Sequence, residues 1–280
     1  LQWVAGSNAT GFDIYQGVVP GNVSSTPVQQ NVPVAAASIS GLQFGQTYVF
    51  AVAAVTSNGV SPLSIPVDVT IVPAAPTATT STSPSAGTLV ISWAKSSGAN
   101  DYGVYQGTQP ILSQVTAQSV TFNGLTAGAQ YSFLIYAQNA GGRSEPAMLT
   151  GSVAPAAPTA VSTTPANGVV SVSWGAVNGA TGYQVFMGTT SGGESSQAVE
   201  TGPGTTATIT GLTNGTKYFF TVVAVNSGGK SPASAEASAT PIGPASSGGG
   251  GGTLDWLTLT VLMTLVGFLR TSPFRFRNRS

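Results

Sequence analysis

Apolar and polar positions alternate with a period of two over much of the chain, the signature of half-buried strands. Leu89, Ile91 and Trp93 alternate in one segment, and Val170, Val172 and Trp174 in another. Three longer runs do the same: Tyr48-Phe50-Val52-Ala54, Tyr131-Phe133-Ile135-Ala137 and Tyr218-Phe220-Val222-Ala224. Their intervening positions are also fairly apolar, which predicts central strands covered on both faces. A turn signal closes each run, as Ser57-Asn58-Gly59, Asn139-Ala140-Gly141-Gly142 and Asn226-Ser227-Gly228-Gly229. Asn and Gly tolerate positive φ and so favour hairpins there.

The predicted strands fall into an internal repeat. Trp3, Trp93 and Trp174 are each followed nine residues later by Phe12, Tyr102 and Tyr183, and eleven later by Ile14, Val104 and Val185. Gly41-Leu42, Gly124-Leu125 and Gly211-Leu212 each place a Leu six residues before Tyr48, Tyr131 and Tyr218, and Ser61, Ser144 and Ser231 follow each Tyr by thirteen. A period of roughly 80 to 90 residues is the size of a whole sandwich domain, so each copy can bury a core of its own.

On these residues the chain resembles three consecutive fibronectin type III domains of the bacterial extracellular kind. The resemblance rests on the Trp of strand B, the Tyr-x-Val of strand C (Phe12 and Ile14 in the first copy) and the Gly-Leu approach to a corner Tyr. It extends to the run Ala-x-Asn/Thr-x-x-Gly-x-Ser, with Pro62, Pro146 or Pro232 just beyond. It implies an all-β chain of three tandem seven-strand sandwiches without disulfides, each corner Tyr hydroxyl bonding back to upstream backbone. Domain boundaries are expected in the clusters Val72-Pro73-Ala74-Ala75-Pro76 and Val153-Ala154-Pro155-Ala156-Ala157-Pro158, semi-rigid links that favour an extended arrangement. The expected organisation is therefore domains at 1–73, 74–155 and 156–241, a Gly/Ser-rich linker at 242–253 and a membrane segment with a basic tail at 254–280. Trp3 lies at the very start, whereas Trp93 and Trp174 come 17 and 16 positions after the last Pro of their linkers. The first sandwich is thus expected to lack strand A, either because the chain is a fragment or because another chain donates that strand.

Composition removes most catalytic chemistry. The 280 residues include no Cys and no His, which excludes Cys-ligated zinc, Cys nucleophiles, Ser-His-Asp triads and imidazole ligands. Charged residues make up 6% of the chain, far below the roughly 25% of average soluble proteins. Neutral polar surfaces of that kind suit exported bacterial β-proteins. Arg270, Arg275, Arg277 and Arg279 supply half of the eight basic residues. Residues 1–252 then carry four basic side chains against seven carboxylates, a net charge near −3. Nucleic acid is not an expected partner, since phosphate binding needs clustered Lys and Arg.

Five glycines, Gly248, Gly249, Gly250, Gly251 and Gly252, precede an uncharged apolar stretch from Trp256 to Leu269. Fourteen residues at about 1.5 Å each span about 21 Å, short of a hydrocarbon core near 30 Å, so Leu254, Arg270 and the aromatic side chains must help anchor it. Residues 254–270 are the expected membrane contact, with the basic tail cytoplasmic by the positive-inside rule and the sandwiches outside. The order glycine motif, short hydrophobic helix, basic terminus resembles the GlyGly-CTERM class of Gram-negative sorting signals. That resemblance implies cutting near the glycines by a rhomboid-type protease, and a permanent tail anchor is the alternative. The protein is accordingly expected in the cell envelope, membrane-anchored or released after processing.

No catalytic, cofactor-binding or metal-binding residues are expected. The seven carboxylates of residues 1–252 look scattered singly, with Asn100-Asp101 and Gly192-Gly193-Glu194 read as loops, where a glycosidase needs a facing pair. All three repeat tryptophans belong to cores. Tyr15, Tyr105 and Phe186, twelve after each Trp, should face outward, and Tyr136 should share the face of Tyr105. Tyr105 and Tyr136 are then either a cross-strand packing pair or a contact surface. Three functions remain: a non-catalytic surface spacer or adhesion module, which the sequence favours; the C-terminal stalk of an exported hydrolase; and a module binding a polysaccharide or surface protein.

Overall fold

The computed structural model describes residues 1–18 and 23–244, and among them every regular element is a strand. The first copy contains β1 (Gly11–Gly17), β2 (Gln29–Val32), β3 (Thr47–Thr56), β4 (Gly59–Val60) and β5 (Val67–Thr70). The second contains β6 (Thr80–Thr82), β7 (Leu89–Ser92), β8 (Asp101–Gln106), β9 (Gln109–Val115), β10 (Ser119–Phe122), β11 (Gln130–Asn139), β12 (Gly142–Arg143) and β13 (Ala147–Ser152). The third contains β14 (Ser162–Ala166), β15 (Val169–Ser173), β16 (Gly182–Gly188), β17 (Glu200–Gly202), β18 (Thr206–Thr210), β19 (Tyr218–Asn226), β20 (Gly229–Lys230) and β21 (Ala237–Ala239). The glycine run at 248–252 and the apolar segment at 254–270 lie outside the described residues.

In the second copy β10, β7 and β6 form one antiparallel sheet, and β9, β8, β11, β12 and β13 form the other. The third repeats this with β14, β15 and β18 opposite β17, β16, β19, β20 and β21. Since β12–β13 and β20–β21 are each one interrupted strand against β11 or β19, every complete sandwich has seven strands. Period-two alternation supplies the inner faces: Leu89, Ile91, Val104, Ile135 and Ala137 are fully buried, as are Val170, Val172, Phe220, Val222 and Ala224. Across the two sheets Trp93 meets Tyr102 edge-on at 5.3 Å between ring centroids, and Trp174 meets Tyr183 at 5.4 Å.

Two sets of hydroxyl bonds hold the crossovers. The corner tyrosines accept from upstream backbone, Tyr48 from Gln43 N–H at 3.0 Å, Tyr131 from Thr126 at 3.1 Å and Tyr218 from Thr213 at 3.1 Å. Tyr102 and Tyr183 make a second, unforeseen set, accepting from Ser96 and Val177 N–H at 2.8 Å each. Phe12 has no hydroxyl for it.

The first copy is less complete. Its five-stranded sheet matches the others, but among the described residues its opposite sheet shrinks to the bridge Gln2↔Ala36, flanked by Trp3 N–H to Ala35 at 3.2 Å. In the complete copies, Ala94 and Gly175 N–H donate to Thr77 and Thr159 carbonyls at 2.9 Å each, with Pro76 and Pro158 buried. Val4, which follows Trp3 as Ala94 follows Trp93, is instead 96% exposed. The core there narrows to Ile14, Tyr48 and Phe50, with Trp3 only half-buried against them.

The repeated Ser explains why the last strand can break yet remain paired. Ser61, Ser144 and Ser231 donate their N–H to the carbonyls of Ala54, Ala137 and Ala224, and each hydroxyl accepts the N–H of the same Ala at 2.9–3.0 Å. The hydroxyl then donates to the next carbonyl, at Pro62, Glu145 or Pro232. Ser64 and Ser234 repeat the device three residues on, against Val52 and Val222. Ser231→Ala leaves the fully buried Ala224 N–H without an acceptor, which costs about 1–3 kcal/mol. The expected outcome is a lower urea midpoint for the third sandwich with its m-value unchanged; an unchanged midpoint contradicts this role.

Candidate functional site

Among the described residues the second copy alone carries an aromatic pair on the outer face of its larger sheet. Tyr105 on β8 pairs with Leu134 on β11, and Tyr136 pairs with Gly103, so the two tyrosines are diagonal neighbours. Their rings meet edge-on, with centroids 5.1 Å apart and planes at 73°. Gly103 makes room for this: a Cβ there would lie 3.0 Å from Tyr105 Cε2 and 2.7 Å from Gln138 Nε2. Arg143 on β12, paired with Gln138, places its guanidinium 5.1 Å from the Tyr105 centroid and 5.8 Å from that of Tyr136. The ring pair contributes about 0.5–1.5 kcal/mol, and an exposed cation–π contact about 0.5–1 kcal/mol.

This face continues as a row in register, Pro110, Tyr105, Leu134 and Met148, across β9, β8, β11 and β13. Met148 is 74% exposed, whereas both tyrosines are half-buried. At the matching positions Tyr15 of the first copy and Phe186 of the third have Ala53 and Val223, not an aromatic residue, in the place of Tyr136. The outward direction of Tyr105 and Tyr136 follows from strand alternation. Arg143 carries no periodic signal, and only the hairpin return of β12 brings it over the rings.

The carboxylates require two corrections. Asp101 opens β8 instead of lying in a loop. Glu194 and Glu236 are not isolated, because the turn after β16 folds toward the last strand. Glu236 accepts from Gly192 N–H at 2.7 Å and from the Ser191 hydroxyl at 2.9 Å. The Gly192 N–H is the main cause holding the Glu236 carboxyl below its ordinary value of 4.5; desolvation opposes it, and Ser191, the neighbouring Glu194 and the Lys217 charge assist. A carboxylate bound to a turn in this way ties the loop down. It is exposed and committed to that loop, which does not suit it to acid–base work on a glycan. Asp13 has a similar structural task, its Oδ1 accepting from Asn31 N–H at 2.9 Å beside the register shift between β1 and β2. Among the described residues no group of three or more His, Cys, Asp or Glu could hold a metal ion, and no helix is long and apolar enough to cross a membrane.

Comparison with known proteins identifies the class of module. The fibronectin type III domain model matches residues 74–149 and 154–240. The chain belongs to the fibronectin type III family, whose sandwiches are non-catalytic modules. It is 35% identical over 190 residues to Chitinase A1 of Niallia circulans, a match covering 61% of this chain and 26% of that protein. It is 29% identical over 285 residues to Exoglucanase B of Cellulomonas fimi, covering 89% of this chain and 24% of that one. The chain thus spans about a quarter of the length of these curated relatives. Among solved structures it is similar to the chicken CNTN1 FN1–FN3 domains, with 19% identity, a TM-score of 0.38 and coverage of 84% of this chain and 90% of that one.

The Glu236 contacts set a pH dependence. The folded-state value lies below the unfolded one, so the stabilisation is present above about 4.5 and is lost as pH falls through the folded value. In a carboxyl-carbon NMR titration Glu236 is expected to titrate below the ordinary Glu range, and Glu236→Gln to remove that pH dependence from the Ser191–Gly192 turn. A Glu236 midpoint at or above 4.5 contradicts the assignment.

Proposed function

We propose that the three sandwiches are a non-catalytic extracellular spacer of a bacterial surface-anchored or secreted protein. The observation that carries this reading is that the repeated Trp, the strand-C aromatic and the corner Tyr are absorbed in three cores and their crossovers. Similarity to relatives named Chitinase A1, Exoglucanase B and Amylopullulanase favours a particular version, the stalk of an exported glycan hydrolase. The similarity covers only 26%, 24% and 7% of those proteins, in keeping with an accessory segment.

The composition of residues 254–270 and the basic tail support contact with the membrane, with the sandwiches outside. Gly248 to Gly252 support recognition by a rhomboid-type sorting protease, after which the sandwiches are released. Exported from a Gram-negative host, the full chain is expected to end within the glycine run by intact mass and to release no sugar from chitin, cellulose or pullulan. Retention of Ser280 contradicts the processing, and turnover on any of these polymers contradicts the non-catalytic assignment.

A second reading, that the second sandwich binds a polysaccharide or surface protein, is favoured by the aromatic face of Tyr105 and Tyr136 beside the exposed Met148. Polysaccharide pull-down by the chain is expected to weaken in the Tyr105→Ala, Tyr136→Ala double variant. Absence of binding, or binding unchanged in the variant, overturns this contact surface.

A further inference from the structure

Residues 1–242 form one compact unit, and the same three contacts recur at both places where one sandwich meets the next. The first is glycine against glycine. Gly45, three residues before the corner Tyr48, has φ +74° and lies against Gly98, φ +78°, in the loop before β8. A Cβ on Gly45 would lie 2.1 Å from Gly98 Cα, and one on Gly98 would lie 2.4 Å from Gly45 Cα. Gly128 and Gly179 repeat this, since a Cβ on Gly128 would lie 1.9 Å from the Asn178 carbonyl oxygen and one on Gly179 would lie 1.9 Å from that of Gly128. Contacts under 3.0 Å are forbidden to real Cβ atoms, so any side chain here must part the two backbones.

The second contact is an amide clamp. At the end of β11, Asn139 Nδ2 donates to the carbonyls of Ile71 at 2.9 Å and Gly98 at 3.1 Å, and its Oδ1 accepts from Gly141 N–H at 2.8 Å. At the end of β19, Asn226 Nδ2 donates to Val153 at 2.9 Å, and its Oδ1 accepts from Gly228 N–H at 2.8 Å. The third is the glycine two residues on: a Cβ on Gly141 or Gly228 would lie 2.1 Å from the carbonyl oxygen of Thr70 or Ser152 in the preceding sandwich.

We infer that Gly45 and Gly128, with the carbonyls that end the preceding sandwich, form a docking surface whose partner is the next fibronectin type III sandwich of this chain. The partner must bring a glycine five residues after its core Trp and an Asn-x-Gly turn after its central strand. The second and third sandwiches meet these terms with Gly98, Asn139 and Gly141, and with Gly179, Asn226 and Gly228. The first carries Asn8, Thr56 and Asn58 at the three places and so does not fit. The third bears the same surface at Gly215, φ +80°, with nothing among the described residues within 4 Å of a built Cβ. Docking by backbone contact and by two side-chain amides fixes the orientation of consecutive sandwiches, where a Pro-Ala linker by itself would only restrict it.

Gly215 also separates docking from loop strain. Gly45→Ala, Gly128→Ala and Gly215→Ala all place Ala at nearly the same positive φ, but among the described residues only the first two have a sandwich docked on them. The chain has no Cys, so spin labels can be introduced as Gln30→Cys with Ser113→Cys across the first junction and Ser113→Cys with Ser196→Cys across the second. In the full chain, pulsed electron–electron spectroscopy is expected to give one narrow distance distribution for each pair. Gly45→Ala should broaden only the first pair and Gly128→Ala only the second, while Gly215→Ala leaves both unchanged. Asn139→Ala and Asn226→Ala, outside the strained loops, should broaden the same pairs in turn. Broad distributions in the unsubstituted chain, or identical effects of the three Gly→Ala changes, overturn the proposal.

Discussion

Each sandwich depends on one contact, the indole of its single repeat Trp set against the aromatic ring nine residues later, edge-on in the first two copies and tilted in the third. Trp93 directly follows β7 in the three-stranded sheet, and Tyr102 stands on β8 in the five-stranded sheet, so their 5.3 Å ring contact joins the two layers. The buried valines, leucines and isoleucines of both inner faces then close around that fixed point. Where the contact is intact but its surroundings are not, the copy loosens. Trp3 still meets Phe12 at 5.3 Å, yet its ring is half-buried, its opposite sheet is a single bridge among the described residues, and Phe12 lacks the hydroxyl that Tyr102 and Tyr183 offer to backbone. The family model correspondingly matches the second and third copies.

The strands and cores were legible because burial on one face of a sheet imposes a period of two that no other constraint disturbs. The corner tyrosines were legible for a related reason: a hydroxyl that must reach backbone five residues upstream fixes its own spacing. Side chains whose partners come from another element left weaker signals. Ser64 and Ser234 look like surface residues until the interrupted last strand turns them onto Val52 and Val222. Glu194 and Glu236 are 42 positions apart and meet only because one turn folds toward the last strand. Asn139 and Asn226 read as turn formers, which they are, but their amides also reach the preceding sandwich, a role set by the path of the linker. Gly45 and Gly128 stand in plain view three residues before a corner Tyr, and their meaning appears only with the next sandwich in place.

Function in this chain therefore lies in position more than in reactivity. The hydroxyls that look available are engaged in backbone bonds, the Glu236 carboxylate restrains a turn, and the half-buried aromatic pair is closed over by Arg143. A protein that spends its polar groups on backbone and its aromatic groups on cores is suited to hold a neighbour at a set place. Its neutral, Ser- and Thr-rich surface is compatible with that role outside the cell, and its relatives are several times longer than the shared region.

Native-state amide hydrogen exchange reads out the stacking of three separately cored sandwiches through specific junctions. Exchange is expected to be slowest along β11 and β19 and faster along β3, with the Gly45 and Gly128 N–H groups more protected than that of Gly215. All three glycines donate to the carbonyl that ends their own sandwich, at 3.1, 3.2 and 2.9 Å, but only the first two are covered by another sandwich among the described residues. Equal exchange at the three glycines, or β3 protected as well as β11 and β19, would contradict it.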